Sequence, residues 1–299
     1  MKRLKIGFIW ELANAKEIFP HWQDGYRAAM DLVAKKHDVD WILGPYEELK
    51  VPQNKYDVLM YWGSPTDRYH QNLLSRPERK LWLYPGGGLS PESLELAKQY
   101  NVVYTEDVSY EEQLKTTGVR VIRGTATNTK LYKPEQREKQ YGAFFPATFS
   151  PWKRQDLFAQ AVGSEGLCVG TIQPDGADYV RACIENDVDT IIAYLPGELL
   201  AVLYNMSSVV ILPIVHGSQR TLLEALGMNI PVVVSDHFKP LVDMAQEIGG
   251  TRIVGLNVEE IREAYLKSKG KKLNTRPYVI GHYGEKQFAE KLLRGIEER

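Results

Sequence analysis

His216–Asp236 reads HGSQRTLLEALGMNIPVVVSD, and the order of residue types along it decides the fold. The apolar run Val209–Val215 stops at His216-Gly217. Ser218 is placed to cap a helix from Gln219 to Leu226, and Gly227 to end it. Val232–Ser235 follows as a β-branched run suited to a buried strand. Strand, turn, helix, turn and strand form the repeating unit of a parallel sheet covered by helices. On a helical wheel Leu222, Leu223, Ala225 and Leu226 face one side, while Arg220, Thr221 and Glu224 face the other, off the core.

That second face has two readings. Arg220 and Glu224 can form a solvated i,i+4 pair worth ~0.2–0.5 kcal/mol. Arginine before glutamate is the poorer order, however, and a cation in the first turn meets the positive end of the helix dipole at a cost of roughly 0.3–1 kcal/mol. An anion bound at the helix start removes that conflict, because free N–H groups, dipole and guanidinium would converge on it.

The rest of the chain repeats the unit. Lys5–Trp10, Val39–Leu43, Tyr56–Trp62, Lys80–Tyr84, Val102–Tyr104 and Val119–Ile122 read as strands of a first half. Gln23–Lys36 and Pro91–Tyr100 have helical spacing. Gly124–Gln140, polar and without periodicity, is read as a linker. Beyond it strands are expected at Gly142–Phe145, Leu167–Thr171, Thr190–Tyr194, Val209–Pro213, Val232–Ser235 and Thr251–Val254, with helices between them. Two doubly wound α/β halves would face each other across a cleft, with ligands beyond the carboxyl ends of strands.

Composition limits the partners. The 299 residues carry 37 Lys plus Arg against 38 Asp plus Glu, so no general affinity for nucleic acid is expected. Cys168 and Cys183 belong to no C-x-x-C or Cys/His cluster and read as reduced thiols of a cytoplasmic protein. No stretch approaches the ~20 apolar residues of a transmembrane segment, and the apolar run in MKRLKIGFIW is too short for a signal sequence. His, Asp and Glu do not cluster at metal-ligand spacings.

Several segments, in order, resemble the family 4 retaining glycosyltransferases. LLEALGMNIPVVVSD (Leu222–Asp236) is similar to the second half of their acidic motif, in which two glutamates have seven residues between them. PATFSPWKRQDLFAQA (Pro146–Ala161) resembles their strand, loop, lysine and helix, with Lys153 on the basic position. LPGELLAVLYNMSSVVILP (Leu195–Pro213) resembles their helix, tyrosine, strand and proline, and TNTKLYKP (Thr127–Pro134) their interdomain element. The resemblance covers residues 100–299 by motif and the first hundred by architecture alone.

It implies a GT-B arrangement of two Rossmann-like domains: residues 1–134 on the acceptor side, 135–280 for the donor, and a helix in 281–299 crossing back to the first. It implies transfer of a sugar from a nucleotide-diphosphate sugar to an unassigned acceptor (saccharide, lipid or protein), without a metal and without a cofactor beyond the donor. Glu224 would take the ribose hydroxyls, Lys153 the diphosphate, and Gly217, Ser218 and Gln219 would offer backbone N–H groups. The chain departs from the pattern where His216 stands for the first glutamate and Thr148 for an arginine. Glu11-Leu12-Ala13-Asn14 replaces a glycine pair, and Gln219 a motif glycine. Arg220, where the family has an apolar residue, is read as replacing the lost arginine. His216 is a catalytic candidate, or else a cap contact in an inactive relative. His21, in the first long loop, is a second catalytic candidate or a surface residue. Gly86, Gly87 and Gly88 either let a ligand approach at the cleft or form a flexible turn. His70, in the polar loop after Tyr56–Trp62, is expected at the surface. The alternatives to transfer are a non-catalytic binder of the same fold and a nucleotide-sugar epimerase.

Overall fold

The strand Lys5–Glu11 is buried on both faces through its centre, as a middle strand of a helix-covered parallel sheet must be. The computed structural model, which describes residues 3–84 and 89–298, builds two such sheets. The first contains β1 (Lys5–Glu11), β2 (Asp38–Gly44), β3 (Val58–Trp62), β4 (Arg79–Tyr84), β5 (Val102–Thr105) and β6 (Arg120–Arg123). Between its strands lie α1 (Ala15–Ile18), α2 (Gly25–Ala34), α3 (Tyr69–Leu74), α4 (Pro91–Ala97) and α5 (Val108–Lys115). The second contains β7 (Tyr141–Pro146), β8 (Gly166–Gly170), β9 (Asp189–Ile192), β10 (Ser207–Leu212), β11 (Val232–Ser235) and β12 (Thr251–Val254). With it go α6 (Gln155–Val162), α7 (Ala177–Glu185), α8 (Gly197–Asn205), α9 (Gln219–Gly227), α10 (Lys239–Ile248), α11 (Val258–Ser268) and α12 (Arg276–Tyr283). The last helix is α13 (Glu285–Glu297).

All strand pairs are parallel. The strand orders are β2-β1-β3-β4-β5-β6 and β12-β11-β10-β7-β8-β9. Counted from its own first strand, the second sheet runs 3-2-1-4-5-6, the order of dinucleotide-binding sheets. Its connections change direction between β7 and β10, and the crevice beyond their carboxyl ends is where such sheets take ligands. In the first sheet the change falls between β1 and β3.

The chain divides into Met1–Ala126 with Glu285–Arg299, and Thr127–Gly284. The first boundary therefore lies before residue 134, because the linker belongs to the second unit. Asn205 holds it there by accepting from the Glu135 amide (2.8 Å) and donating to the Lys133 carbonyl (3.2 Å). The Arg276 guanidinium also donates to the carbonyls of Tyr132 and Thr129 (2.8 and 2.7 Å). The chain returns at Glu285, a few residues after the expected 281. Helix α13 packs on α2, where Phe288, Leu292 and Ile296 share a core with Tyr26, Met30 and Val33.

His70 is not at the surface. It lies on α3, 1% exposed, its ring edge-on to Tyr61 and Trp82. Its Nε2–H donates to the Ser64 carbonyl (2.7 Å), so Nδ1 accepts from the Tyr100 hydroxyl (2.7 Å). Burial lowers its pKa to about 4, keeping the imidazole neutral. A six-residue helix is too short to show as periodicity, and three aromatic partners distant in sequence draw the ring inside. The two cysteines are free and buried, with their sulfurs 3.7 Å apart.

The docking of α13 can be tested at Gly295. A Cβ there would stand 1.8 Å from the Tyr104 hydroxyl, which donates to the Leu292 carbonyl (2.9 Å). In an isolated helix Gly295→Ala gains up to about 1 kcal/mol. Here the overlap with a fully buried tyrosine is expected to outweigh that gain and leave a net loss of about 1–3 kcal/mol in urea unfolding. A stabilised variant would mean that α13 does not dock closely against β5.

Candidate functional site

The site is built on the two loops that leave β7 and β10. The first, Ala147–Arg154, is tied down by Gln155, which is fully buried. Its Nε2 donates to the Thr148 carbonyl (2.9 Å) and its Oε1 accepts from the Ser150 amide (3.4 Å). Phe149 extends the sheet by one bridge to Ile172. Arg154 has φ +55°, and its guanidinium grips Asp156 at 2.9 and 2.8 Å, so its charge is spent locally. This geometry leaves Lys153 facing the second loop.

That loop, Pro213–Ser218, is joined to the first by the Val215 amide on the Trp152 carbonyl (2.9 Å) and anchored from β11 by the Ser235 hydroxyl on the Ile214 carbonyl. Gly217 and Ser218 both have positive φ, +81° and +68°. The pair bends the chain into α9 and brings the His216 carbonyl and the Ser218 hydroxyl onto one point. The Lys153 ammonium occupies it, donating to His216 O (3.0 Å) and Ser218 Oγ (2.7 Å). A Cβ at Gly217 would lie 3.1 Å from Lys153 Nζ, which explains a glycine there. Ser218 is the N-cap residue by position, but its hydroxyl makes no cap bond to the helix. The lysine takes it instead, which corrects the expected cap. The helix also runs through Gly227, and the left-handed residue at its end is Asn229 (φ +58°).

Burial lowers the pKa of Lys153 to about 8, with a further contribution from the charge of Arg220 in the first turn of α9. Two cations therefore share the start of a helix whose dipole already favours an anion.

Glu224 departs from the expectation of an off-core face. It is only 7% exposed, and its Oε2 accepts from the hydroxyl of fully buried Tyr204 on α8 (2.9 Å). The wheel failed because α9 has neighbours on more than one side: it packs against α10 and α12, and Tyr204 of α8 meets Glu224. Gln219 and Leu222–Gly227 are all buried, so little of the helix circumference is left to solvent. Burial first, then the carboxylate of Glu224, holds the Tyr204 phenol well above its usual range. Sequence alone does not pick out Tyr204 and Gln155. Tyr204 stands in a segment with a family resemblance, but its partner is twenty residues away.

The site residues expected from sequence thus divide. Lys153, His216, Gly217, Ser218 and Arg220 come together, with Gln219 (buried) and Glu224 along the same helix. Thr148 contributes its carbonyl to the Gln155 clamp. The His216 ring packs edge-on against Phe238, centroids 4.8 Å apart, and its carbonyl rather than its imidazole meets the lysine. His21 belongs to the other unit, exposed at the end of a short 3-10 turn after α1. Gly86, Gly87 and Gly88 lie outside the described residues. At the β1/β3 switch point of the first sheet, Glu11 accepts from the Tyr61 hydroxyl (3.0 Å) and the Tyr69 amide (2.8 Å). Asp67 accepts from the same hydroxyl (3.1 Å), and burial raises its pKa. Among the described residues no three His, Cys, Asp or Glu side chains gather as metal ligands would, and no helix is long and apolar enough to cross a membrane.

Burial, with the charge of Arg220 added to it, should make the Lys153 ammonium a stability cost in the ligand-free protein. Lowering Lys153 from 10.5 to about 8 corresponds to roughly 3 kcal/mol against the folded state at pH 7. Lys153→Met is expected to recover a good part of this in urea unfolding. The unfolded chain binds the proton more tightly, so the cost is complete below pH 8 and fades as the pH rises toward 10.5. The gap between variant and wild type should close over that window. Equal stabilities at pH 7 would show that the ammonium is not under strain.

No family model matches the chain, and neither does any curated protein sequence. Solved structures do. HepE of Anabaena, in complex with UDP and glucose, superposes with a TM-score of 0.74 at 11% identity, covering 100% of both chains. Sucrose-phosphate synthase of Thermosynechococcus elongatus gives 0.69 at 16% identity, covering 97% of each. AviGT4, a glycosyltransferase involved in avilamycin A biosynthesis, gives 0.65 at 14% identity, covering 98% of this chain and 97% of its own. At such identities the likeness is one of fold: the chain has the GT-B fold, with two Rossmann-like α/β units.

Proposed function

We propose that the chain is a glycosyltransferase that moves a sugar from a nucleotide-diphosphate sugar to an acceptor, with retention at the anomeric carbon and without a metal. The observation that carries this reading is the placement of Lys153, Arg220 and the Gly217–Ser218 turn at the switch point of the second sheet. That chemistry suits a diphosphate: two cations, a helix N-terminus and backbone N–H groups converge without a divalent ion to neutralise the leaving group. Support comes from the shared fold with HepE, whose structure holds UDP and glucose.

In this scheme Glu224, steadied by Tyr204, accepts from the ribose hydroxyls. Lys153 and Arg220 hold the diphosphate, with N–H groups from Gly217, Ser218 and Gln219, and Thr148 lines its approach. His216 stands beside the donor sugar or the β-phosphate. The first unit takes the acceptor, with His21 as its candidate acid or base. The unbonded cysteines suit a cytoplasmic location.

A second reading, a nucleotide-sugar binder without transferase activity, is favoured by one observation: the His216 ring rests on Phe238 where the resembling family has a carboxylate.

A thermal-shift screen of nucleotide sugars, followed by assays of donor hydrolysis, tests both readings. Ligand at about a hundred times its dissociation constant adds ~2.7 kcal/mol, a shift that is easily measured. Lys153→Ala and Arg220→Ala should each weaken nucleoside-diphosphate binding at least tenfold, the worth of one charge-assisted hydrogen bond of about 1.5–3 kcal/mol. If Arg220→Ala binds like wild type while Lys153→Ala does not, Arg220 has no part in the site. Binding without transfer or hydrolysis selects the second reading.

A further inference from the structure

Cys168 and Cys183 are the only cysteines of the chain, and they touch. Cys168 lies in β8, in register with Phe145 of β7 and Thr190 of β9. Cys183 comes from α7. Its thiol donates to the Cys168 sulfur at 3.7 Å, and neither side chain is more than 1% exposed. Two small apolar side chains in contact can serve packing alone, but the place of these two gives the contact a second property. They are fifteen positions apart, and the chain between them passes through the Thr171–Gly176 loop at the carboxyl end of β8. That loop braces the one that carries Lys153. The Phe149 amide donates to the Thr171 carbonyl (2.8 Å), and the Gln173 amide to the Phe149 carbonyl (3.1 Å). Gly176 comes so close that a Cβ on it would stand 2.3 Å from the Phe149 oxygen. A bond between the two sulfurs would close a ring with this loop at its tip.

A disulfide has its sulfurs about 2.05 Å apart, so the pair must close by roughly 1.7 Å. Helix α7 is the element that can yield. Of its nine residues Val180 and Cys183 are the buried ones, and Ile184 beside Cys183 is 63% exposed. A helix held by so little apolar surface opens locally more readily than the sheet beneath it. The same opening admits a reagent. Until it occurs, burial holds the Cys168 thiol well above its usual range and keeps it unreactive.

We propose that Cys168 and Cys183 form a redox-sensitive clamp. A hydroperoxide joins them in a disulfide that pins α7 to β8 and stiffens the Thr171–Gly176 loop, and a dithiol releases them. With hydrogen peroxide, a thiolate exposed by the opening of α7 attacks one peroxide oxygen and the O–O bond breaks. The departing hydroxide takes up the proton that the thiol released and becomes water, leaving a sulfenic acid. The second thiol attacks the sulfenic sulfur, the S–S bond forms, the S–O bond breaks, and a second water leaves. Two thiols are oxidised and one peroxide is reduced to two waters. Thiol–disulfide exchange with a dithiol reverses the change. The clamp does not depend on what the Lys153 turn binds.

The native full chain is treated with hydrogen peroxide, alkylated in denaturant, and mapped as unreduced peptides. The expected product is a monomer in which the peptides bearing Cys168 and Cys183 are joined and neither thiol can be alkylated. Dithiothreitol should restore both thiols. The reaction should run faster in urea below the unfolding midpoint, which favours opening of α7. Cys168→Ser and Cys183→Ala should each keep one thiol and form no internal link. Closing a loop of this length should raise the Tm of the oxidised wild type by about 5–10 °C and slow amide exchange across Thr171–Gly176. Two thiols still open to alkylation after prolonged treatment in sub-denaturing urea overturn the proposal. Sulfinic acids or cross-linked dimers in place of the internally linked monomer do the same. An internally linked monomer whose Tm does not rise, or whose loop exchanges as fast as before, also overturns the clamp. These readouts need only the wild-type chain, so the test stands even where a cysteine variant does not fold.

Discussion

One ammonium group ties together the two loops on which the site depends. Lys153 comes from the loop after β7, and both of its acceptors come from the loop after β10. These strands are neighbours in the sheet although more than sixty residues separate them in sequence, because the strand order reverses between them. A doubly wound sheet leaves a crevice at that reversal whatever its sequence. What this chain adds is a cation across the crevice, held by a carbonyl and a hydroxyl that two consecutive positive-φ residues turn toward it. Gly217 adopts that conformation without strain, whereas Ser218 does so at a cost of order 1–3 kcal/mol.

The surrounding fold has to absorb that strain and the charge as well. Leu222, Leu223 and Leu226 on α9 are fully buried, and each is worth about 1.5–3 kcal/mol on leaving water. Their sum exceeds the left-handed serine, the arginine on the wrong end of the helix dipole and the part-buried ammonium taken one at a time. Helix α9 therefore sits where its leucines place it, with its polar start held in an unfavourable state. Strain that tertiary packing over-determines is the usual mark of a binding site rather than of a scaffold.

This division explains what was legible in the sequence. The leucines of α9, the Val232–Ser235 run and the alternation of strands with helices report on packing against a sheet, and packing is periodic. The basic and acidic positions, Lys153 and Glu224, were found through their resemblance to ordered motifs. The cap bond of Ser218 and the exposure of Glu224 differ from expectation because a helical wheel and a cap rule treat a helix as having one buried face and a free end. Here Tyr204 of α8 meets Glu224 on the second face, and a lysine sixty-five residues away claims the cap hydroxyl. Tyr204 on Glu224 and Gln155 under Thr148 depend likewise on which strands end side by side. Local sequence carries no trace of that, and His70 among Tyr61, Trp82 and Tyr100 repeats the lesson in the first unit.

His216 can be placed by the same logic. His216 meets Lys153 through its carbonyl oxygen, which any amino acid supplies, and its ring packs edge-on against Phe238. Replacing a glutamate by histidine therefore leaves the grip on Lys153 untouched and alters what lies beside the turn. On the donor reading, the diphosphate end keeps two cations, with Arg220 making up for the arginine replaced by Thr148, and the sugar end is altered: a carboxylate that would accept from sugar hydroxyls gives way to an imidazole packed on an aromatic ring. On that reading the departure at His216 bears first on which sugar is held and whether it is transferred, because the hold on Lys153 does not depend on its side chain.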